Sequence, residues 1–403
     1  MDKRNENYFG EPKKLTTKIK HHLLTETLNT SIGIANNKCI AYKINSNTTE
    51  NVYTYIDLFA GAGTFEDNSK GSPILAYDIL FEHQSKQSNN FRQLQMACTE
   101  KHIESYKKLE ETILSYMTDN SIDCYYGQGN WETYKKNIEN LLKNSGWGYI
   151  FADPFSTELD ITELIKTLKS YANLKDILVF FNFNTLARQD GRRCIQDVDR
   201  ICKNIGINAQ ELLDQDSNFS TKFENKLREH FKGLKKFVIG VGFPTTVQGE
   251  LNNSDYFYLI FSTNTPVLVD SFLNAYEQML DKYTDYSGMQ QLALFGNPDK
   301  IYIYDSLKEQ FADGCSLYDL YLYITSKFLS WKELTKTQKK VPTIKNVVEI
   351  LNEFESDNLI KIVAEDKFLY KKNSRFGNAG NLKYNEAGNS AENMKNIKIM
   401  LNR

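Results

Sequence analysis

Between Val52 and Ser262 the chain alternates short β-branched and aromatic runs with segments of helix length. This is the feature that most restricts what it can fold into. The strand candidates are Val52–Phe59, Gln93–Thr99, Ile122–Tyr126, Gly148–Ala152, Ile177–Phe183, Lys236–Val241 and Tyr256–Ser262. Helical segments fall between them at Ile103–Met117, Trp131–Asn144, Ile161–Tyr171 and Phe219–Leu234. Such alternation predicts an α/β fold, a mostly parallel sheet with helices on both faces. The last two strands are separated only by a short polar, glycine-containing stretch, too short for a crossover helix, so they should pair antiparallel. The expected sheet has seven strands, mostly parallel, with an antiparallel last strand.

On either side the character changes. Residues 1–44 read as an N-terminal helical extension with a helix at Lys13–Leu28, followed by an Asn-rich linker at Asn45–Asn51. The α/β domain spans 45–300, with Glu66–Asn90 as an inserted polar loop. Residues 305–373 give helices at Ser316–Leu329, Trp331–Lys339 and Thr343–Asn358, then a β-hairpin at Leu359–Lys372, which together suggest a winged-helix-like module. Its lysines (Lys332, Lys336, Lys339, Lys340, Lys345) favour DNA phosphates. Glu349, Glu353, Glu355 and Asp357 oppose them and favour a protein partner. Residues 374–403, rich in Asn, Gly and Lys, are expected to be a flexible tail.

With 41% hydrophobic residues and a net charge of −2 over 403 residues, the chain belongs to the folded globular class. No apolar run is long enough for a transmembrane helix, and Met1–Pro12 lacks an apolar signal core. A soluble cytoplasmic protein is expected, with no membrane partner. The six cysteines include no C-x-x-C pair and the five histidines no H-E-x-x-H, so free thiols and no metal site are expected.

The first strand ends in Asp57 and runs into Phe59-Ala60-Gly61-Ala62-Gly63. Glycines here let the backbone approach a ligand, but the three-glycine dinucleotide fingerprint is absent. An acid at the strand end before a small-residue turn suits a methyl donor. Asp57 would order the turn or receive the donor's ammonium, and Gly61 and Gly63 would make room; an ordinary strand-to-loop turn is the plain alternative. Glu100 ends the second strand, where a carboxylate can accept ribose hydroxyls or be merely solvated. Asn130, after the third strand, either bonds an adenine edge or caps the following helix. The fourth strand ends in Asp153-Pro154-Phe155. A carboxylate, a stiff turn and an aromatic ring are what positioning an exocyclic amino group for methyl transfer requires; a plain Asp-Pro turn competes. Phe155 stands where a cytosine-ring methylase would need a nucleophilic cysteine. Arg188, Arg192 and Arg193 follow the fifth strand, as a phosphate or carboxylate site or as a solvated helix start. The basic stretch Lys13, Lys14, Lys18, Lys20, His21 and His22 is a solvated helical face, a nucleic-acid contact or a cap over the cofactor cleft.

With these motifs in order, the chain resembles the three-Cys-motif partner protein (TcmP) family. The resemblance runs from about Asn7 to Gly296 and is carried by Tyr55–Gly63, Gly71-Ser72-Pro73, the Glu100 strand end, Phe151–Phe155 and Asn182–Arg188. The chain has Ala62 where the family often has proline, and Ser156 where it often has glycine. The resemblance implies a Rossmann-like class I methyltransferase fold and S-adenosylmethionine as cofactor. Asp57, Phe59, Ala60, Gly61, Gly63, Glu100 and Asn130 would be the donor site, Asp153, Pro154 and Phe155 the catalytic set, and Asn182 and Arg188 substrate contacts. The expected activity is methylation of an amino group, most readily in DNA or RNA. The alternative is a partner-dependent binding subunit working with a three-Cys-motif protein of iron–sulfur or radical type, in defence against mobile elements.

Overall fold

The structure is a computed structural model. It describes residues 15–41, 51–116, 122–154, 159–171, 175–182, 202–204, 206, 208, 219–247, 250–283, 298–327, 341–364, 370–372, 380–382 and 391–402. A seven-stranded sheet organises the fold. Its strands are β1 (Val52–Asp57), β2 (Gln93–Glu100), β3 (Ile122–Gln128), β4 (Trp147–Ala152), β5 (Lys175–Asn182), β6 (Phe237–Val247) and β7 (Glu250–Thr263). They lie in the order β3-β2-β1-β4-β5-β7-β6. The β1–β2, β2–β3, β1–β4 and β4–β5 pairs are parallel, and β7 runs antiparallel to β5. This is the strand order of the Rossmann-like methyltransferase fold. Because order reverses at β1, the carboxyl ends of β1, β2 and β4 lie at the switch point of the sheet, where open α/β sheets place their ligands.

By contact the chain divides into two compact units, residues 1–235 with 243–262, and residues 236–242 with 263–403. In the first unit every residue of β1 is buried, as expected of a parallel strand covered on both faces. Tyr53, Tyr55 and Tyr149 are fully buried, and Tyr149 stacks on both Tyr55 and Phe261. Around the sheet run α1 (Leu15–Ala41), α2 (Ser72–Ser85), α3 (Ile103–Tyr116), α4 (Lys135–Lys143), α5 (Ile161–Leu168) and α6 (Phe219–Lys232).

Three elements differ from the sequence reading here. Glu66–Asn90 is not a polar loop throughout, since α2 forms inside it. Gly71 caps this helix and Pro73 lies in its first turn. Its buried residues Ile74, Ala76, Tyr77, Ile79 and Leu80 are spread around the axis rather than along one stripe, because α2 packs against both the sheet and α1. A helix covered on several sides leaves no 3.6-residue periodicity to read. α1 continues to Ala41, well past the expected end at Leu28, and its buried stripe is part polar: Thr17, Lys20, His21, Thr27 and Ser31 are all buried. Polar positions on the covered face mask the pattern that would mark its length. The segment at Trp131–Asn144 divides into a 3-10 turn, Trp131–Tyr134, and α4.

The second unit holds α7 (Pro266–Tyr283), α8 (Pro298–Gln310), β8 (Cys315–Ser316), α9 (Leu317–Lys327), α10 (Ile344–Ser356), β9 (Ile360–Ala364), β10 (Tyr370–Lys372), β11 (Gly380–Leu382), α11 (Ala391–Lys395) and β12 (Ile397–Leu401). Thr343 caps α10 by accepting from Asn346 N, and the half-buried Asp270 of α7 accepts from Ile344 N at 2.7 Å. The expected hairpin Leu359–Lys372 does not form. β9 pairs with β12 and β10 with β11, and the small sheet has the order β8-β12-β9. The stretch expected to be a flexible tail therefore supplies a central strand. Ile360-Lys361-Ile362 and Ile397-Lys398-Ile399 carry the same in–out alternation and the same burial pattern, so each offers the other a matching apolar face. The helix expected at Trp331–Lys339 lies outside the described residues. Among the described residues no helix is long and apolar enough to cross a membrane.

Two buried lysines lie at the amino end of β5 and just before β6. Lys175 donates to Ser145 O at 2.5 Å, and burial first, then the Lys235 charge, bring its pKa down to about 7. Burial lowers Lys235 to about 8, with Asp176 opposing. Between about 7 and its ordinary value near 10.5, Lys175 holds more proton when the chain is unfolded, so stability rises with pH across that window. Lys175→Met should remove this slope, raising the stability read by urea unfolding more at pH 6 than at pH 9, with the two gains differing by about 3 kcal/mol.

Candidate functional site

The site is built where β1 gives way to its turn. Asp57, the last residue of β1, is fully buried. Its Oδ1 accepts from Phe59 N at 3.2 Å, its Oδ2 accepts from Tyr55 OH at 3.2 Å, and the Ser72 side chain at the start of α2 also bonds it. Burial, with a smaller push from the charge of Asp153, raises its carboxyl to about 7 despite these bonds. Asp57 thus ties the turn to the first residue of the next helix.

The turn itself needs its glycines. Gly61 and Gly63 take φ of 65° and 80°, a region that side chains with a Cβ avoid. Gly71 N donates to Gly63 O at 2.7 Å, and a Cβ at Gly71 would meet that oxygen at 2.7 Å. Gly71-Ser72-Pro73 therefore acts as the seat of the turn: the glycine admits Gly63, the serine reaches Asp57, and the proline starts α2.

Glu100, 4% exposed at the end of β2, closes the other side. Its Oε2 accepts from Gly61 N and its Oε1 from His102 N, both at 2.8 Å. Each oxygen keeps a second lone pair for a ligand hydroxyl. Backbone bonds complete the link, with Ala60 N donating to Thr99 O and Gly129 N to Glu100 O. Asn130 is exposed and occupies the cap position before the 3-10 turn, but makes no side-chain cap bond. Its amide is thus not spent on capping. Phe59 is half-buried, and Ala60, Gly61 and Gly63 are buried.

At the end of β4, Asp153 is met by Lys20 of α1. Nζ lies 2.5 Å from Oδ1, with the two side chains 10% and 22% exposed, and the same ammonium lies 5.0 Å from the centre of the Phe180 ring. His21, the next residue on α1, is tilted against Phe65 beyond the glycine turn. Sequence reasoning grouped Lys20 with a run of basic residues. The signal that singles it out is its phase: it shares the buried stripe of α1 with Leu23, Leu24, Thr27 and Ser31. Tyr55 and Ser72, both bonded to Asp57, were also not singled out as site residues.

Pro154 is buried beside Asp153. Phe155, Arg188, Arg192 and Arg193 lie outside the described residues, and Asn182 is placed only as the last residue of β5, in register with Phe257. The structure thus brings Asp57, the glycine turn, Glu100, Asp153 and Lys20 to one end of the sheet. A cavity of about 540 Å³ opens elsewhere, between α4 and the β2–β3 edge, lined by Thr99, Cys124, Tyr125, Tyr134, Asn137 and Asn140 among others. None of the residues nominated from sequence lines it. Among the described residues no cluster of His, Cys, Asp and Glu is placed to hold a metal ion.

No family model matches the chain, and no curated protein does. Among solved structures it is similar to a putative caffeoyl-CoA O-methyltransferase from Staphylococcus aureus, at 9% identity over 57% of this chain and 82% of that one, with a TM-score of 0.27. TomG, an O-methyltransferase of tomaymycin synthesis from Streptomyces achromogenes solved with SAM, matches at 11% over 58% and 89%, TM-score 0.28. PKMT2 from Rickettsia typhi matches at 8% over 60% and 53%, TM-score 0.28. At this level of identity and overlap the likeness says nothing about what this chain acts on.

Two predictions follow from the turn. Because the native state holds the Asp57 proton up to about pH 7 and the unfolded chain only to about 4, stability contributed by this group is lost as pH rises between those values. Asp57→Asn should therefore melt progressively higher relative to the parent as pH goes from 5 to 8; a constant gap would mean that Asp57 is ionised throughout. Gly71→Ala should lower stability by roughly 1–3 kcal/mol, read by urea unfolding, because Gly63 O is backbone and cannot swing aside.

Proposed function

We propose that the chain is an S-adenosylmethionine-dependent methyltransferase acting on an amino group, in the first instance the exocyclic amino group of a base in DNA or RNA. The observation that carries this reading is the bond from Gly61 N to Glu100 Oε2. It joins the glycine turn after β1 to an acid at the tip of β2, so that a small nucleoside-bearing donor would meet both. Asp57, Phe59, Ala60, Gly61, Gly63, Glu100 and Asn130 would hold the donor. The residues fit such a group: Glu100 retains lone pairs for two hydroxyls, Asn130 keeps its amide off the helix cap, and the turn presents backbone rather than side chains. The donor would supply an electrophilic methyl group on a sulfonium. The work of the chain is then alignment. Asp153 would accept a hydrogen bond from the acceptor amino group, Pro154 and Phe155 would shape its seat, and Asn182 and Arg188 would contact the rest of the substrate.

A second reading is favoured by one observation: Asp153 is already engaged by Lys20. A chain whose acceptor carboxylate is occupied suits a subunit that acts only with a partner, here a three-Cys-motif protein. The second unit supports a docking role. Its helices α8, α9 and α10 with the sheet β8-β12-β9 suit a winged-helix-like module, and the exposed positions of α10 include Glu349 and Glu353 beside Lys345, a mixed surface better matched to protein than to phosphate.

Calorimetric titration with S-adenosylmethionine and S-adenosylhomocysteine tests the donor site. Micromolar binding is expected, weakened at least about tenfold, or 1.4 kcal/mol, in folded Asp57→Ala and Glu100→Ala. No heat at millimolar ligand would end the reading of the isolated chain as a methyltransferase. Activity on nucleic acid that appears only on co-purification with the partner would establish the second reading.

A further inference from the structure

The acceptor end of the crevice already holds an amino group. Lys20 Nζ lies 2.5 Å from Asp153 Oδ1 and 5.0 Å from the Phe180 ring centre, and Lys20 is 8% exposed. A carboxylate oxygen accepting an N–H bond beside an aromatic ring is the set of contacts an amino acceptor needs. This amine is not a surface group folded back by chance. It projects from the covered stripe of α1, a helix fixed by fully buried Leu23, Leu24 and Leu28 and by the 2.7 Å bond between Thr27 Oγ1 and Tyr149 OH.

The donor end lies next to it. Asp57 is in register with Phe151, two residues before Asp153, which puts the two aspartates roughly 8 Å apart at Cα by strand spacing and rise. The charge of Asp153 is felt at Asp57. A methyl group presented from the glycine turn toward Asp153 would meet Lys20 before any external substrate.

We propose that Lys20 is a self-modification site: with a sulfonium methyl donor in the crevice, the chain methylates its own Lys20 ε-amino group. The proposal rests on the donor-binding reading above. The ammonium first gives one proton to Asp153, which is partly exposed and passes it to water. The Nζ lone pair then forms a bond to the methyl carbon as the carbon–sulfur bond breaks. The bonding pair leaves on sulfur as a neutral thioether, and the product is a methylammonium with one N–H fewer. Nothing is oxidised or reduced. The modified side chain keeps its charge but carries a methyl group against the Asp153 carboxylate or the Phe180 ring, so it no longer fills the seat in the same way.

Two measurements on the full chain test this. Without ligand, mild reductive methylation by formaldehyde and borane should label Lys20 roughly tenfold more slowly than exposed Lys18 on the same helix, as for an amine held in a part-buried ion pair, and Asp153→Asn should close most of that gap. Equal rates in the parent would overturn the proposal, because the amine would then not be held. With S-adenosylmethionine alone, peptide mass spectrometry should find added methyl groups at Lys20 and not at Lys18, at least tenfold less in Asp153→Asn and none in Lys20→Arg at that position. Calorimetry on the same samples separates the failures. Donor binding with Lys20 unmethylated overturns self-modification and leaves the donor site standing; no donor binding overturns both.

Discussion

The turn after β1 keeps its shape because two buried carboxylates take hydrogen bonds from backbone amides in and beside it. Asp57 holds Phe59 N, and Glu100 holds Gly61 N and His102 N. The bonds to ionised Glu100 contribute about 1.5–3 kcal/mol each, comparable with what a strained left-handed backbone position costs. The glycines at 61 and 63 lower that cost and the carboxylates fix which of the accessible turns is adopted. Neither alone would suffice, since glycines without acceptors leave the turn free and acceptors without glycines face a strained backbone.

The same arrangement concentrates acid. Asp57, Glu100 and Asp153 converge on the carboxyl ends of three adjacent strands, and their charges are handled in three different ways. Glu100 is spread over two amide donors. Asp153 is neutralised by Lys20. Asp57, fully buried with a tyrosine and a serine hydroxyl for company, shifts toward its protonated form, the usual response of a carboxyl group that cannot be solvated. A bound cation at this point would reverse that balance, and the ammonium of an amino-acid moiety is such a cation. Asp57 organises the turn, and its proton would respond to any charge that entered beside it.

How much of this was legible in the sequence follows from where side chains point. Strands β1, β2, β4 and β5 were readable because their runs are largely apolar, as in parallel strands covered on both faces, and the acids at the tips of β1, β2 and β4 interrupt those runs visibly. Gly61, Gly63 and Glu100 could be nominated from position alone. α2 was not legible, because Ile74, Ala76, Tyr77 and Leu80 face both the sheet and α1 and so show no stripe. Lys20 could be seen only as one charge in a basic run, since the residue it pairs with lies 133 positions away. β12 was hidden by its setting in an Asn- and Gly-rich stretch, although Ile397-Lys398-Ile399 repeats the alternation of the strand it joins. Local pattern reports local environment; a helix covered on two sides or a strand paired with a segment far along the chain has no local signature.

The construction of α1 shows what its first turns can do. From Leu23 onward the helix is held by apolar side chains at or near zero exposure and by two hydroxyl bonds, Thr27 to Tyr149 and Tyr53 to Ser31. Its part nearer the crevice relies instead on Thr17, Lys20 and His21, with Ile19 as the apolar member of that turn. Apolar burial is lost only when the helix leaves the sheet, whereas an ion pair can be exchanged for an equivalent pair with an incoming group. At that end of α1 the Lys20–Asp153 ion pair is the contact that an incoming group could replace, and only a hydrogen-bond donor to a carboxylate would replace it in kind.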